Sequence, residues 1–255
     1  MGWKAIVRSA TGTSHQEQKI PCQDYGDYRI FNDVIVGAVA DGAGSAKYSQ
    51  IGSKLAVETV IKYFDDINEY PHKLGFSQPL SQPEAQDFFA KIVNQVIAKL
   101  HNQADTKTYS VNDLACTLLV FIASSEWIAT MQIGDGFIVV RSQDSEYELL
   151  FEPNKGEFFN ETTFITSANA LDEMQVRVIS GQQEFICAST DGLEKVAIRL
   201  SDWQPFPPFF KPFEEYLREI NNPEDDDHYI IDFLNSERLN SRTDDDKTLL
   251  LCLFE

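Results

Sequence analysis

Basic side chains are scarce in this chain. Its 255 residues carry 21 Lys and Arg against 40 Asp and Glu, a formal net charge of −19. A surface that acidic repels the nucleic-acid backbone and anionic membranes, so neither is expected as a partner. Cysteine is scarcer still, with four at positions 22, 116, 187 and 252 and no CxxC pair, which speaks against a structural zinc site. Cys116, Cys187 and Cys252 lie in or beside apolar, β-like runs, where a free thiol acts as a small hydrophobe; this suits a reducing compartment. No apolar run is long enough to span a bilayer. Residues 1–8 lack the apolar core of a signal peptide, and the expectation is a cytoplasmic protein. No GxSxG elbow is present, and Ser14 beside His15 does not make a catalytic pair, so no nucleophilic side chain stands out. With no repeat and no low-complexity linker, the chain reads as a single domain over 1–255 and is expected to be a monomer.

Eighteen Phe and a 43% hydrophobic content are enough for a sizeable core. Residues 4–8 and 34–40 read as strands, the second apolar on both faces. Residues 51–64 carry apolar side chains at helical spacing. A loop marked by Pro71, Gly75 and Pro79 follows, and Ser81-Gln82-Pro83-Glu84 then opens a second helix. From Cys116 the pattern turns to strands at 117–123, 127–133, 137–141 and 147–151, read as a meander of hairpins because the breaks are short. Further strands are expected at 163–166, 174–179 and 184–189, with a polar loop at 153–172. Helices are expected at 213–220 and 225–239, and a last strand at 248–254. The acidic run Glu224-Asp225-Asp226-Asp227 reads as a helix start favoured by the helix dipole. Segregated strands and helices of this kind indicate an α+β fold.

Five acidic motifs stand where hydrophobic runs end: Cys22-Gln23-Asp24, Ala40-Asp41-Gly42-Ala43-Gly44-Ser45, Ile133-Gly134-Asp135-Gly136, Ser189-Thr190-Asp191-Gly192-Leu193 and Asp244-Asp245-Asp246-Lys247-Thr248. An Asp just past a buried strand is a carboxylate held at the rim of a rigid sheet. Several such rims brought together form the oxygen cage that Mg²⁺ or Mn²⁺ requires. One Asp-Gly is also an ordinary turn signal; the ordered set carries the argument.

In that order the motifs resemble the type 2C metal-dependent protein phosphatases, the PPM family, and in particular a divergent bacterial branch with a Gly12-Thr13-Ser14-His15 start. The resemblance implies a four-layer sandwich, with two antiparallel sheets face to face and a helix pair outside each. It implies that Asp41 bridges two Mg²⁺ or Mn²⁺ ions, that the Gly42 carbonyl completes the second ion's shell, and that Asp191 and Asp245 hold the first. Asp24 would hold metal-bound water, and Asp135 would help a third, weaker site. Gln23 stands where the family carries Glu. The family's phosphate-gripping Arg falls by count on Lys19, with His15 and Arg8 as rival contacts. Ala43 stands where animal relatives carry a His that acts as general acid.

The implied activity is hydrolysis of phosphoserine and phosphothreonine in protein substrates by a water bridging the two ions, which also neutralise charge on the phosphoryl oxygens. Two alternatives stay open at this point: a pseudo-phosphatase that binds phosphoprotein without turnover, and a hydrolase of small phosphoesters.

Overall fold

The computed structural model describes residues 2–68, 78–152, 162–225 and 227–255. In chain order the elements are β1 (Trp3–Ala10), α1 (Thr13–Gln18), β2 (Tyr25–Phe31), β3 (Val34–Ala40), α2 (Ser49–Asn68), α3 (Gln82–Lys107), β4 (Leu118–Ala123), β5 (Trp127–Ile133), β6 (Phe137–Ser142), β7 (Glu148–Leu149), β8 (Gln175–Ser180), β9 (Gln183–Ser189), α4 (Glu194–Ala197), β10 (Ile198–Arg199), β11 (Gln204–Pro205), α5 (Pro207–Glu219), α6 (His228–Leu234), α7 (Glu237–Asn240) and β12 (Lys247–Phe254). Two five-stranded antiparallel sheets result, ordered β1-β12-β9-β6-β7 and β2-β3-β4-β5-β8.

Three apolar layers hold four structural layers together. Between the sheets, Ile35, Val39, Phe121, Ile138, Ile186 and Leu250 are buried against one another. Strands β3, β4, β9 and β12 are therefore covered on both faces, which is why they read as continuous apolar runs rather than as alternation. Helices α2 and α3 close the outer face of the second sheet through Val57, Phe64, Phe89 and Val96. Helices α5 and α6 close the first through Phe210, Phe213, Leu217 and Ile230. The fold is thus α+β, an α-β-β-α sandwich. Of Ser81 and Gln82, the two candidates for the cap, Ser81 caps α3: its hydroxyl accepts from the Glu84 N–H while the Glu84 carboxylate accepts from the Ser81 N–H. Among the described residues no helix is long and apolar enough to cross a membrane.

Several expectations need correcting. Strands β5 and β6 do not form a hairpin: β5 belongs to the second sheet and β6 to the first, so Gly134-Asp135-Gly136 carries the chain from one sheet to the other. Residues 163–166 form no strand. Only the Ile165 N–H reaches a neighbouring backbone, at Cys116 O, while Ile165 is buried in the helix-side core, so the segment docks rather than pairs. The strand expected at 147–151 shrinks to β7. The helix expected at 225–239 splits into α6 and α7, because Ser236 accepts from the Leu239 N–H and starts a new helix. Helix α5 begins at Pro207 rather than 213, with Pro in its first turn. Strand β2 and helix α1 went unforeseen; β2 is half-exposed along most of its length and α1 buries no residue. Pro71, Gly75 and residues 153–161 lie outside the described residues; 162–164 are irregular and 165–172 run through turns.

Candidate active site

All five acidic motifs lie at one end of the sandwich. The start of β2 pairs with the end of β3, the end of β5 with the start of β4, and the starts of β6 and β12 with the end of β9. Asp24 enters the second sheet there and Asp41 and Asp135 leave it, while Asp191 leaves and Asp245 enters the first. Two rigid sheets therefore set the spacing of carboxylates that are distant in sequence.

Neighbouring Thr and Gln side chains hold three of these motifs in place. The Asp41 N–H donates to Thr117 Oγ1 at 2.9 Å, and the Thr117 N–H returns a bond to Asp41 O at 2.8 Å. Thr190 Oγ1 donates to Asp24 Oδ2 at 2.6 Å and accepts from the Thr248 N–H at 3.0 Å. The Gln132 amide donates to the carbonyls of Gly134 and Gly136, at 3.0 and 2.7 Å, and so pins the turn that presents Asp135. Gly134 sits there at φ +107°, a conformation L side chains rarely adopt. Thr162 donates to Asp135 Oδ2, and Phe164 packs over Ala43, Ala46 and Ala115 beside the Gly-rich turn.

Electrostatically the five aspartates form one group. Asp24 is 6% exposed, and its side chain meets that of Asp41. Burial first, then the mutual charge of the pair, drives the Asp41 carboxyl far above the ordinary range, with Asp245 and Asp135 adding to it. Burial likewise raises Asp24. Asp191 is pushed up to about 8 by burial and by Asp135, Asp41, Asp245 and Glu194. Asp245 is raised too, chiefly by desolvation within the cleft, although its residue surface stays open to solvent. Asp135 is exposed and acts on the others as a nearby charge.

Such crowding is unfavourable without cations. Among the described residues no three acidic, His or Cys side chains already close on one point. The fit to a metal rests instead on charge and on unpaired oxygens. Asp24 Oδ1 and Gln23 Oε1 are buried with no hydrogen-bond donor, and the donor set is carboxylate and carbonyl oxygen, the chemistry hard divalent ions select. Divalent cations therefore fit these residues.

The candidate phosphate contacts separate. His15 lies on α1 with Nδ1 3.0 Å from Asp246 Oδ2, within electrostatic reach of Asp245. Lys19 caps the end of the same helix at φ 57°, with its side chain exposed. Arg8 is committed elsewhere: its guanidinium donates to Asp227 at 2.6 Å and Glu224 at 2.7 Å. Asp227 is the N-cap residue of α6, so the acidic run does stand at a helix start, and the carboxylates of Glu224 and Asp227 also pair with Arg8.

Reading the sequence missed several members of the site. Asp246, 2% exposed, is the buried one of three adjacent aspartates. Lys247 is fully buried, donates to Asn240 Oδ1 at 2.9 Å, and places a cation below the acidic cluster; burial lowers its pKa while Asp246 and Asp245 oppose that shift. Thr190 precedes Asp191 directly, and a hydroxyl beside a site carboxylate was the available signal. Glu194 follows Asp191 by three residues and adds to its charge environment.

Known proteins give an independent comparison. Residues 11–234 match the family model described as Protein phosphatase 2C, a stretch that holds Asp24, Asp41, Asp135 and Asp191. Serine/threonine-protein phosphatase 3 of Escherichia coli (strain K12) is 34% identical over 261 residues, spanning 100% of this chain and 99% of that protein. Among solved structures, the S. agalactiae serine/threonine phosphatase superposes with a TM-score of 0.65 at 16% identity, covering 99% of this chain and 100% of that one. Stp1 from Staphylococcus aureus gives 0.63 at 11% identity, covering 100% and 96%. At such identities the structural likeness speaks for the fold alone.

Proposed function

The chain belongs to the protein phosphatase 2C family, and from that premise we propose that it is a metal-dependent phosphatase acting on phosphoserine and phosphothreonine in protein substrates. The observation that carries this reading is the meeting of five aspartates at one end of the sandwich, with a buried carboxylate oxygen that no donor satisfies. Asp41, Asp191 and Asp245, with the carbonyl of Gly42, would hold two Mg²⁺ or Mn²⁺ ions; Asp24 supports them, and Asp135 serves a third, weaker site. When bound, those ions supply an activated water and neutralise phosphoryl charge.

The chain's own residues do the rest. Thr117 and Thr190 fix the Asp41 backbone and the Asp24 carboxylate, so the cage does not collapse or spread. Gln23 is neutral where a carboxylate would add charge, and its unpaired Oε1 offers an oxygen in compensation. His15 meets the phosphoester as a hydrogen-bond donor. Lys19, exposed at the end of α1, draws the dianion as a point charge but cannot grip two oxygens at once as an Arg can. The acidic surface favours phosphoprotein partners with basic flanks.

Hydrolysis of a phosphothreonine peptide and of p-nitrophenyl phosphate, each with Mn²⁺, Mg²⁺ or EDTA, tests the proposal. A phosphoprotein phosphatase turns over both and loses both in EDTA. Turnover of p-nitrophenyl phosphate alone points to a small-ester hydrolase, and turnover of neither to a binding module.

Thr190→Val gives a sharper check on the support of Asp24. The substitution keeps the shape but removes a donor from Asp24 and an acceptor from the Thr248 N–H. Metal affinity should fall about 10–100-fold, with a stability cost of about 1–3 kcal/mol. Titration of Mn²⁺ by calorimetry reads the first and urea unfolding the second. Unchanged affinity removes Thr190 from the site.

A further inference from the structure

A serine or threonine leaving group departs as an alkoxide unless a proton reaches it, so cleavage of its P–O bond needs a donor beside the cations. Ala43, in the turn three residues past β3, has no titratable side chain. His15 does, and it is held in an unusual way. Asp246 is buried, and both its oxygens accept from backbone: Oδ1 from the Gly12 N–H and Oδ2 from the Gln23 N–H, each at 2.6 Å. Oδ2 also faces His15 Nδ1 at 3.0 Å. A carboxylate already fixed as an acceptor requires His15 to present Nδ1–H. The other ring nitrogen, Nε2, has no hydrogen-bond partner among the described residues, and the side chain keeps 14% of its surface open.

We infer that His15, held by Asp246, protonates the leaving oxygen of the phosphoester; the inference rests on the phosphatase reading above. Asp246, pinned by the Gly12 and Gln23 N–H groups, fixes the ring through Nδ1 and leaves Nε2 free of protein partners among the described residues. Other charged groups around the pair are the buried Lys247, which faces Asp246 and Asp245, Asp244 and Asp245 on the same loop, and the exposed Glu17 and Lys19 on and just past α1. In the step itself the oxygen of the attacking water forms a bond to phosphorus and the P–O bond to the side chain breaks. The leaving oxygen takes the Nε2 proton and departs as an alcohol. The proton lost by the water returns through solvent to the imidazole, and inorganic phosphate is the other product. Asp246 acts through His15 and is a positioning residue.

The test compares two leaving groups in the metal-loaded protein. p-Nitrophenolate leaves readily as an anion, whereas the threonine alkoxide does not. His15→Ala and His15→Gln should each lower kcat on a phosphothreonine peptide by about 10²–10⁴-fold. Both should lower it only a few-fold on p-nitrophenyl phosphate. Asp246→Asn should give the same split. Independently of metal and turnover, ¹⁵N-histidine spectra should show Nδ1 protonated in the wild type and that preference lost in Asp246→Asn. If Asp246→Asn does not fold, the two His15 variants decide. Equal losses on the two substrates, or recovery of peptide turnover by Gln, overturn the inference, since a hydrogen bond without proton transfer then suffices. A wild type that ignores the peptide overturns the phosphatase reading and this inference with it; a wild type that turns over both while the variants show equal losses overturns this inference alone.

Discussion

Asp41→Asn leaves a folded protein that has lost nearly all phosphatase activity. The backbone of residue 41 is tied to Thr117 through its own N–H and carbonyl, and neither bond involves the carboxylate. The substitution therefore removes charge without removing an anchor. What it removes is the carboxylate at the centre of the acidic group, the one that meets Asp24 and feels Asp245 and Asp135. An amide offers one neutral oxygen where two charged ones stood. A loss of about 3–5 kcal/mol in transition-state stabilisation, or about 10²–10⁴-fold in kcat/KM, is the expected scale. Asp24→Asn should be milder, about 10–100-fold, because Asp24 supports the cage rather than forming its centre. Initial rates on p-nitrophenyl phosphate with saturating Mn²⁺, alongside circular dichroism, measure both. Near-wild-type rates in the two variants would contradict both assignments.

The site was legible in the sequence where local chemistry carries it. Asp41-Gly42 and Asp191-Gly192 follow runs that are apolar on both faces, so the end of a buried strand and the carboxylate beyond it are written in adjacent residues. The path between them was not. Gly134-Asp135-Gly136 carries the same signal whether the chain turns back within a sheet or crosses to the facing one. Only the pairing of β5 with β8 and of β6 with β9, partners about forty to fifty residues away, decides it. The run Asp244-Asp245-Asp246 has three equivalent letters. Which one turns inward depends on the N–H groups of Gly12 and Gln23, more than two hundred residues earlier. Arg8 looked available for phosphate for the same reason: its partners Glu224 and Asp227 lie at the far end of the chain. Composition and periodicity report what a residue prefers, and such long-range pairs report what is left to satisfy it.

The crowding of carboxylates also sets a pH dependence whose direction can be worked out. Asp191 titrates near 8 in the folded protein, against about 3.9 in an unfolded chain, and Asp41 and Asp24 are raised as well. Between those values the native state holds protons that the unfolded state has released. Stability of the metal-free protein is therefore fully present near pH 4 and falls as pH rises toward about 8, by up to about 1.4 kcal/mol per pH unit for each extra proton held. Above that the Asp191 contribution to the slope ends. Bound cations take the place of those protons, so saturating Mn²⁺ should flatten the curve, raise Tm most at pH 8, and release protons on binding. The net charge of −19 alone would also lower stability with pH, and Asp41→Asn separates the two causes. It changes one charge in forty acidic residues, yet it removes the carboxylate at the centre of the cluster. In EDTA at pH 8 the variant should melt several degrees above the wild type, and the gap should close toward pH 5, where the wild-type cluster is already protonated. With Mn²⁺ present the order should reverse, because the variant binds the ion poorly. Thermal melts of both proteins from pH 5 to 8, with EDTA and with Mn²⁺, give the four curves. A wild-type Tm in EDTA that is flat or rising over this range, or a variant that tracks it throughout, would mean that the aspartates do not share one cluster in solution.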